Sequence, residues 1–185
     1  AGLRIEALGA LGAAGVILLV LLVANAVNVV DGQDGLAGGL ALIGAAGLVG
    51  LEGGNAGGAS WSVGLALAGG LVAFLLWNRP PARIFLGNGG AYAVGTLLSV
   101  PAATAARGWI GLAAGILCLG VFAFELVFTV VRRVRARSPV TAGDRGHSYD
   151  LAATSLGGRN RSTLLFLGIG ILSAGAALLL DAVAG

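Results

Sequence analysis

Residues 15–39 read GVILLVLLVANAVNVVDGQDGLAGG, an apolar run that passes into polar residues and then into glycine. The apolar run belongs to a segment, 8–30, that is long enough to cross a bilayer, which takes about 20 mostly apolar residues. Polar side chains recur every third residue at its end: Asn25, Asn28, Asp31 and Asp34. On a helix this spacing forms one slanting ridge. We therefore expect a membrane helix with a polar cluster at one end.

The whole sequence has the composition of a membrane protein. Of its 185 residues, 57% are hydrophobic and only 10% are charged, against about 25% charged in a typical soluble domain. The single cysteine, Cys118, excludes a disulfide framework and a cysteine-based metal site. All basic side chains are arginines beside membrane-length segments, so we expect no nucleic-acid partner.

Six segments are candidate membrane spans: 8–30, 35–51, 61–77, 91–106, 108–131 and 163–183. The fourth is short and contains Pro101. We predict an all-α fold, a polytopic transmembrane helical bundle with about six spans that forms a single membrane domain over residues 1–185.

The arginines predict which side of the membrane each loop faces, because cytoplasmic loops carry the excess of positive charge. With the first loop on the cytoplasmic side, the inside segments are 31–34, 78–90 and 132–162. They hold all arginines except Arg4 and Arg107. The same segments hold most of the unusual polar residues. We expect a multi-pass protein of the inner (plasma) membrane with its active face in the cytoplasm.

Each inside segment allows a structural and a functional interpretation. The first is either an asparagine pair that joins two helices and a tight turn, or a pocket for a metal or polar ligand. In the second, Pro80 and Pro81 interrupt a helix and the GNGG stretch offers backbone N–H groups to a phosphate, although an ordinary loop has the same composition. In the third, the arginines at 132–137 favour an anchor for anionic lipid headgroups. His147 is the sole histidine and is either structural or functional.

Together these loops resemble the cytoplasmic signatures of the polyprenyl-phosphate N-acetylhexosamine-1-phosphate transferases, glycosyltransferase family 4, which are phospho-N-acetylmuramoyl-pentapeptide transferase-like. NAVNVVDGQDGLAGG (25–39) is similar to the family pattern Asn-x-x-Asn-x-x-Asp-Gly-x-Asp-Gly-Leu. FLLWNRPPARIFLGNGG (74–90) resembles the segment Phe-Leu…Asn…Pro-Ala…Phe-x-Gly-Asp, and DRGHSYD (144–150) resembles the family's His-rich loop. The resemblance implies the C-terminal portion of a larger bundle that lacks its N-terminal helices here.

The family's activity is the expectation that follows from this resemblance. It implies transfer of a sugar 1-phosphate from a UDP-N-acetylhexosamine or related UDP-sugar to undecaprenyl (polyprenyl) phosphate, with release of UMP and with Mg²⁺, or alternatively Mn²⁺, as cofactor. Such a reaction initiates cell-envelope glycan synthesis. The expected partners are the UDP-sugar, the polyprenyl phosphate and the lipid bilayer, with a homodimer as a candidate assembly.

The resemblance also implies a role for each matching residue. Asn28 is expected near the metal-bound pyrophosphate and Phe85 against the uracil ring. Asn28 and Asn88 are the candidate metal ligands. The expected substrate-binding residues are Asn28, Asp31, Asp34, Asn78, Phe85, Arg145 and His147, with Asp31 and Asn78 near the uridine and Arg145 and His147 facing the diphosphate or the sugar.

Three departures from the family pattern keep other interpretations open. Asn88 stands where the family has a metal-binding aspartate, the third loop keeps one histidine, and the family's adjacent Asp-Asp pair is absent from this sequence. The catalytic residues are therefore unknown, and we expect this chain alone to be inactive. A non-catalytic member that binds a nucleotide-sugar or polyprenyl ligand is the main alternative. A small transporter would need mid-membrane polar residues, for which Glu125 is the sole candidate.

Overall fold

The computed structural model describes residues 9–53, 57–137 and 146–184. The chain folds there into helices without any strand, which confirms the predicted all-α class. The helices are α1 (Gly9–Val30), α2 (Leu36–Leu51), α3 (Ala59–Asn78), α4 (Gly87–Ala105), α5 (Trp109–Cys118), α6 (Gly120–Arg135), α7 (Ser148–Ser155) and α8 (Arg159–Ala184).

Helices occupy all six predicted spans, but they differ in length and polarity. Among the described residues, α1, α3 and α8 are long and apolar enough to cross a membrane, and α5 with α6 makes a fourth if the bent pair is one span. Helix α2 is apolar but has only 16 residues. Helix α4 contains Pro101 and polar residues, as its sequence led us to expect. The chain is therefore a membrane-type helical bundle.

The segment predicted as one span over 108–131 is broken. Helices α5 and α6 meet at Leu119 with a bend of 79°. The break leaves backbone carbonyls without their usual helical donors, and Ser173 of α8 donates its hydroxyl to the Leu117 carbonyl oxygen at 2.7 Å. Hydropathy misses the break because the residues on both sides of it are apolar.

Close packing of α1 against α4 positions the polar ends of these two helices. A Cβ added to Gly95 of α4 would lie 2.5 Å from the Cα of Ala24 in α1. Only glycine permits this approach, because a backbone atom cannot move aside as a flexible side chain can. The two helices run antiparallel, so the end of α1 lies beside the start of α4.

The remaining helices complete the bundle around α2. Helix α2 packs against α3, α4 and α8, and α5 packs against α8. Leu36, Leu48 and Leu98 are fully buried in the shared core. By contrast, large apolar side chains at the outer surface, such as Leu172 of α8, are exposed, which suits contact with lipid tails.

Candidate functional site

The end of α1 and the start of α4 form the first part of the candidate site. Asn28 donates an Nδ2 hydrogen bond to Asn88 Oδ1 at 3.2 Å. Asp31 follows three residues after Asn28, just beyond α1, and its carboxylate accepts a hydrogen bond from the Gly87 N–H at the start of α4. Gly87 has a φ of 60°, a left-handed conformation that favours glycine. The two asparagines and the aspartate therefore form one polar cluster at the helix ends.

Asp31 lies just beyond α1 and is only partly exposed. Burial raises the pKa of its carboxyl group, and the hydrogen bond from Gly87 partly opposes this rise. Burial acts in this direction because it removes water from the charged form. A cationic group brought next to Asp31 would favour its charged form, so the cluster favours a ligand that carries or recruits positive charge.

Asp34 and Asn78 tie the α1–α2 turn to the loop between α3 and α4. The Asn78 side chain accepts from Gly35 N at 3.0 Å and donates to the Ile84 carbonyl oxygen at 2.8 Å. The carboxylate of Asp34 accepts from Ala82 N at 3.0 Å. Asn78 is buried, with both ends of its amide engaged. These two side chains thus hold two of the three predicted loops in register.

Phe85 is placed differently from its neighbours. It lies in the α3–α4 loop, two residues before α4, and 70% of its surface is exposed. An exposed aromatic ring at a polar helix end offers a face on which a planar base can stack. The structure therefore places Phe85 where a ligand can reach it.

Tyr149 brings the third predicted loop to the first. Its hydroxyl donates to the Val29 carbonyl oxygen in the last turn of α1 at 2.9 Å. The Tyr149 carbonyl oxygen accepts from Gln33 Nε2 at 3.2 Å and from the Ser162 hydroxyl at 2.7 Å. Tyr149 is almost completely buried. All three polar segments therefore meet at one end of the bundle.

His147 lies in a buried polar cluster beside α6. Its Nδ1 is 3.1 Å from Thr129 Oγ1 and 4.0 Å from Glu125 Oε2. Its ring stacks on that of Tyr149, with the centroids 5.0 Å apart. Ser148 donates both its backbone N–H and its hydroxyl to the Glu125 carboxylate, which is fully buried. Glu125 thus fixes the first turn of α7.

The predicted site residues within the described ranges fall into four groups. Asn28, Asp31 and Asn88 form one cluster, Asp34 and Asn78 hold the loops, and Phe85 is exposed. His147 is buried, 7% exposed, on the third segment. Arg145 lies outside the described residues. The roles predicted for all of them stay predictions.

Sequence reasoning did not assign Gln33 and Tyr149 to the site, and it considered Glu125 only as the polar residue that a transporter would need. Gln33 stands inside the DGQDG motif, and Glu125 is an acidic residue within an apolar span. A charged group in such a span has to find a partner, because burial without one is costly. That cost is the signal that could have directed attention to Glu125.

The described residues do not fit a magnesium site well. Mg²⁺ prefers carboxylate oxygens, but the two candidate ligands, Asn28 and Asn88, are neutral amides that bond to each other. Asp31 is the carboxylate beside them. Within 9–53, 57–137 and 146–184, no three acidic, histidine or cysteine side chains group closely enough to hold a metal ion. The predicted Mg²⁺ or Mn²⁺ cofactor stays a prediction.

Comparison with known proteins identifies the family. Residues 3–106, more than half of the chain, match the model of glycosyl transferase family 4. The chain belongs to glycosyl transferase family 4. This match covers the α1–α2 turn and the α3–α4 loop, so two of the three polar segments of the site lie within the family region.

Two relatives of this chain are undecaprenyl-phosphate N-acetylglucosaminyl 1-phosphate transferases by name. The chain is 34% identical over 102 residues to an undecaprenyl-phosphate alpha-N-acetylglucosaminyl 1-phosphate transferase of Thermotoga maritima, over 55% of this chain and 34% of the relative. It is 30% identical over 110 residues, 57% of this chain and 31% of the relative, to a probable undecaprenyl-phosphate N-acetylglucosaminyl 1-phosphate transferase of Bacillus subtilis.

A third relative has a different transferred group in its name. This chain is 32% identical over 117 residues to a phospho-N-acetylmuramoyl-pentapeptide-transferase of Listeria welshimeri. The match covers 59% of this chain and 33% of the relative. The matched region thus spans about a third of the length of each of these relatives.

Proposed function

We propose that the protein containing this chain transfers a sugar 1-phosphate from a UDP-N-acetylhexosamine, or a related UDP-sugar, to undecaprenyl or another polyprenyl phosphate. A phosphate oxygen of the lipid attacks the phosphorus that carries the sugar. The bond between this phosphorus and the bridging oxygen breaks, and UMP leaves with that oxygen. The products are polyprenyl diphosphate sugar and UMP, and the reaction begins cell-envelope glycan synthesis at the cytoplasmic face.

The observation that carries this proposal is the convergence of the three polar segments at one end of the bundle. Tyr149 bonds to Val29, Asn28 bonds to Asn88, and Asn78 bonds to Gly35. Phosphoryl transfer depends mainly on positioning and on stabilising charge. A site assembled from three separate segments that brace one another supplies the first of these requirements.

Four of the predicted residues have surroundings that support a proposed role. Phe85 supplies a stacking face for the uracil, because its ring is exposed. Asp31 and Asn28, which belong to one cluster, are proposed to contact the uridine and the diphosphate, respectively. Asn78 acts through the loop that it holds, since both ends of its amide are occupied.

The first experiment tests the reaction itself. The intact protein in detergent is mixed with UDP-N-acetylglucosamine and undecaprenyl phosphate, with and without Mg²⁺, and UMP release is measured. Other UDP-N-acetylhexosamines are tested in parallel. We expect release that requires both substrates. A folded protein that releases no UMP with any of these donors would overturn the proposed reaction.

A second experiment tests the stacking role of Phe85. Stacking on an aromatic ring is worth about 1–3 kcal/mol per base, so Phe85→Ala should weaken UDP binding by about fivefold to a hundredfold. The matched control is Phe124→Ala, which removes another exposed ring from α6. Equal UDP affinity in the two variants, measured by calorimetry, would show that the uracil binds elsewhere.

The Asn28–Asn88 pair favours a second candidate function, nucleotide-sugar binding without catalysis. Two amides that satisfy each other leave a weak site for Mg²⁺. If this candidate is right, the native protein binds UDP-sugar equally with and without Mg²⁺, and Asn88→Asp makes binding depend on Mg²⁺. A native protein that already requires Mg²⁺ to bind UDP-sugar would exclude it.

A further inference from the structure

A cavity lies at the end of α3, in the loop that Asn78 and Asp34 hold. It has a volume of about 510 Å³, within the range of about 300–1,000 Å³ usual for small-molecule sites. Its lining combines apolar and cationic side chains: Leu76, Trp77, Arg79, Pro80, Pro81 and Arg83. A cavity of this kind suits a ligand with an apolar part and an anionic part.

The position of the cavity matches a membrane surface. Helix α3 is one of the span-length helices, and Trp77 and Asn78 are its last residues. Tryptophan and arginine are the residues that concentrate where a span meets water. Leu76 and Trp77 are more than half exposed, so their side chains lie where acyl chains begin.

The loop that forms the cavity is held from within. The Arg83 N–H donates to the Trp77 carbonyl oxygen at 2.8 Å, and the Ala82 N–H donates to Asp34. Asn78 bonds to the Ile84 carbonyl oxygen. The backbone between the two arginines is therefore preorganised, which reduces the entropy lost when a ligand binds.

Both arginines are available to an anion. Arg79 and Arg83 are exposed, and neither guanidinium forms a salt bridge or hydrogen bond with any residue in the described ranges. The guanidinium of Arg83 lies 5.8 Å from the centre of the Trp77 ring, where a cation–π interaction holds it over the cavity. Guanidinium groups match the geometry of phosphate oxygens.

We propose that this cavity binds the phosphodiester headgroup of an anionic phospholipid. Arg79 and Arg83 bind the phosphate, and the glycerol and the first acyl carbons lie along Leu76 and Trp77. The cavity shares its loop with Asn78 of the proposed nucleotide-sugar site, and it differs from a general positive surface because both arginines line one cavity. It therefore predicts preference for one lipid class at one place on the protein.

The test uses Trp77 as a local probe in lipid vesicles. Substitution of Trp61 and Trp109 by Phe in the intact protein leaves Trp77 as this chain's single tryptophan. The vesicles contain phosphatidylcholine with a fixed fraction of phosphatidylglycerol, and either one or the other lipid is brominated to quench fluorescence. We expect brominated phosphatidylglycerol to quench Trp77 more strongly than brominated phosphatidylcholine at equal fraction.

Paired variants distinguish binding in the cavity from attraction by general surface charge. The enrichment is the ratio of Trp77 quenching by brominated phosphatidylglycerol to quenching by brominated phosphatidylcholine. Arg79→Gln with Arg83→Gln should reduce this enrichment by about fivefold for each arginine, the factor equal to about 1 kcal/mol per basic side chain at an anionic surface. The control, Arg135→Gln with Arg137→Gln, removes two other exposed arginines and should leave the enrichment unchanged. The single variants Arg79→Gln and Arg83→Gln provide the same comparison if the double variant fails to fold.

Three results would overturn the proposal. One is equal quenching of Trp77 by the two brominated lipids. Another is an equal loss of enrichment in the control pair, which would show general surface charge. The last is an unchanged enrichment in the variant with Arg79→Gln and Arg83→Gln, which would show that these arginines do not bind the lipid.

Discussion

Replacing Asn78 by alanine separates a loop-holding role from direct contact with the nucleotide. The substitution leaves the buried Gly35 N–H without an acceptor, which costs about 1–3 kcal/mol. It also removes the donor to the Ile84 carbonyl oxygen, which can turn to water because Ile84 is exposed, at about 0.5–1.5 kcal/mol. The free energy of unfolding should fall by about 2–4 kcal/mol.

The melting temperature should fall accordingly by about 4–16 °C, since about 2–4 °C corresponds to 1 kcal/mol for a protein of this size. Cys118 is the chain's sole cysteine and is buried, so its reaction with a fluorogenic thiol dye reports unfolding in detergent. Asn160→Ala, at an exposed position of α8, is the control. An unchanged melting temperature with complete loss of UDP binding would refute the loop-holding role.

Three further perturbations test the packing, the charge and the α7 anchor. Gly95→Ala should destabilise the protein by about 1–3 kcal/mol through overpacking, whereas Gly69→Ala, with open space at its Cβ, should not; equal melting temperatures would contradict this. Burial raises the pKa of Asp31 in the folded protein above 3.8, its ordinary value in an unfolded chain. The protonated carboxyl group therefore stabilises the folded state fully below about pH 3.8, and this stabilisation is lost as the pH rises through the pKa of the folded state. Asp31→Asn should therefore melt higher than wild type at neutral pH and equally in acid; the reverse order at neutral pH would point to a bound cation. Glu125→Gln should speed hydrogen exchange in α7, and unchanged exchange would show that other contacts hold it.

Much of the fold follows from local properties of the sequence. The length and polarity of 8–30, 61–77 and 163–183 predicted α1, α3 and α8, because a span needs only a sufficient run of apolar residues. The bend between α5 and α6 was not predictable in this way. Its broken end is bonded by Ser173, which lies far along the chain.

The candidate site shows the same division. The spacing of Asn28 and Asp31 placed both on one face of a helix end, and the family pattern named the residues around them. The sequence could not show that Asn28 bonds to Asn88, because that contact depends on the close approach of α1 and α4 at Gly95. Nor could it show that His147 is buried, since its partner Thr129 lies on another helix.

The sequence by itself determined that this protein is a bundle of membrane-type helices with its polar residues collected in three segments, because hydropathy and helical spacing act over a few neighbouring residues. Only the tertiary structure decided which polar residues join the segments and which remain exposed. Hydrogen bonds between distant segments commit Asp34, Asn78 and Tyr149 to joining the loops. The same packing leaves Phe85 exposed to a ligand. Hydrogen-bond partners must be close in space, and the linear order of residues does not show which distant segments come close.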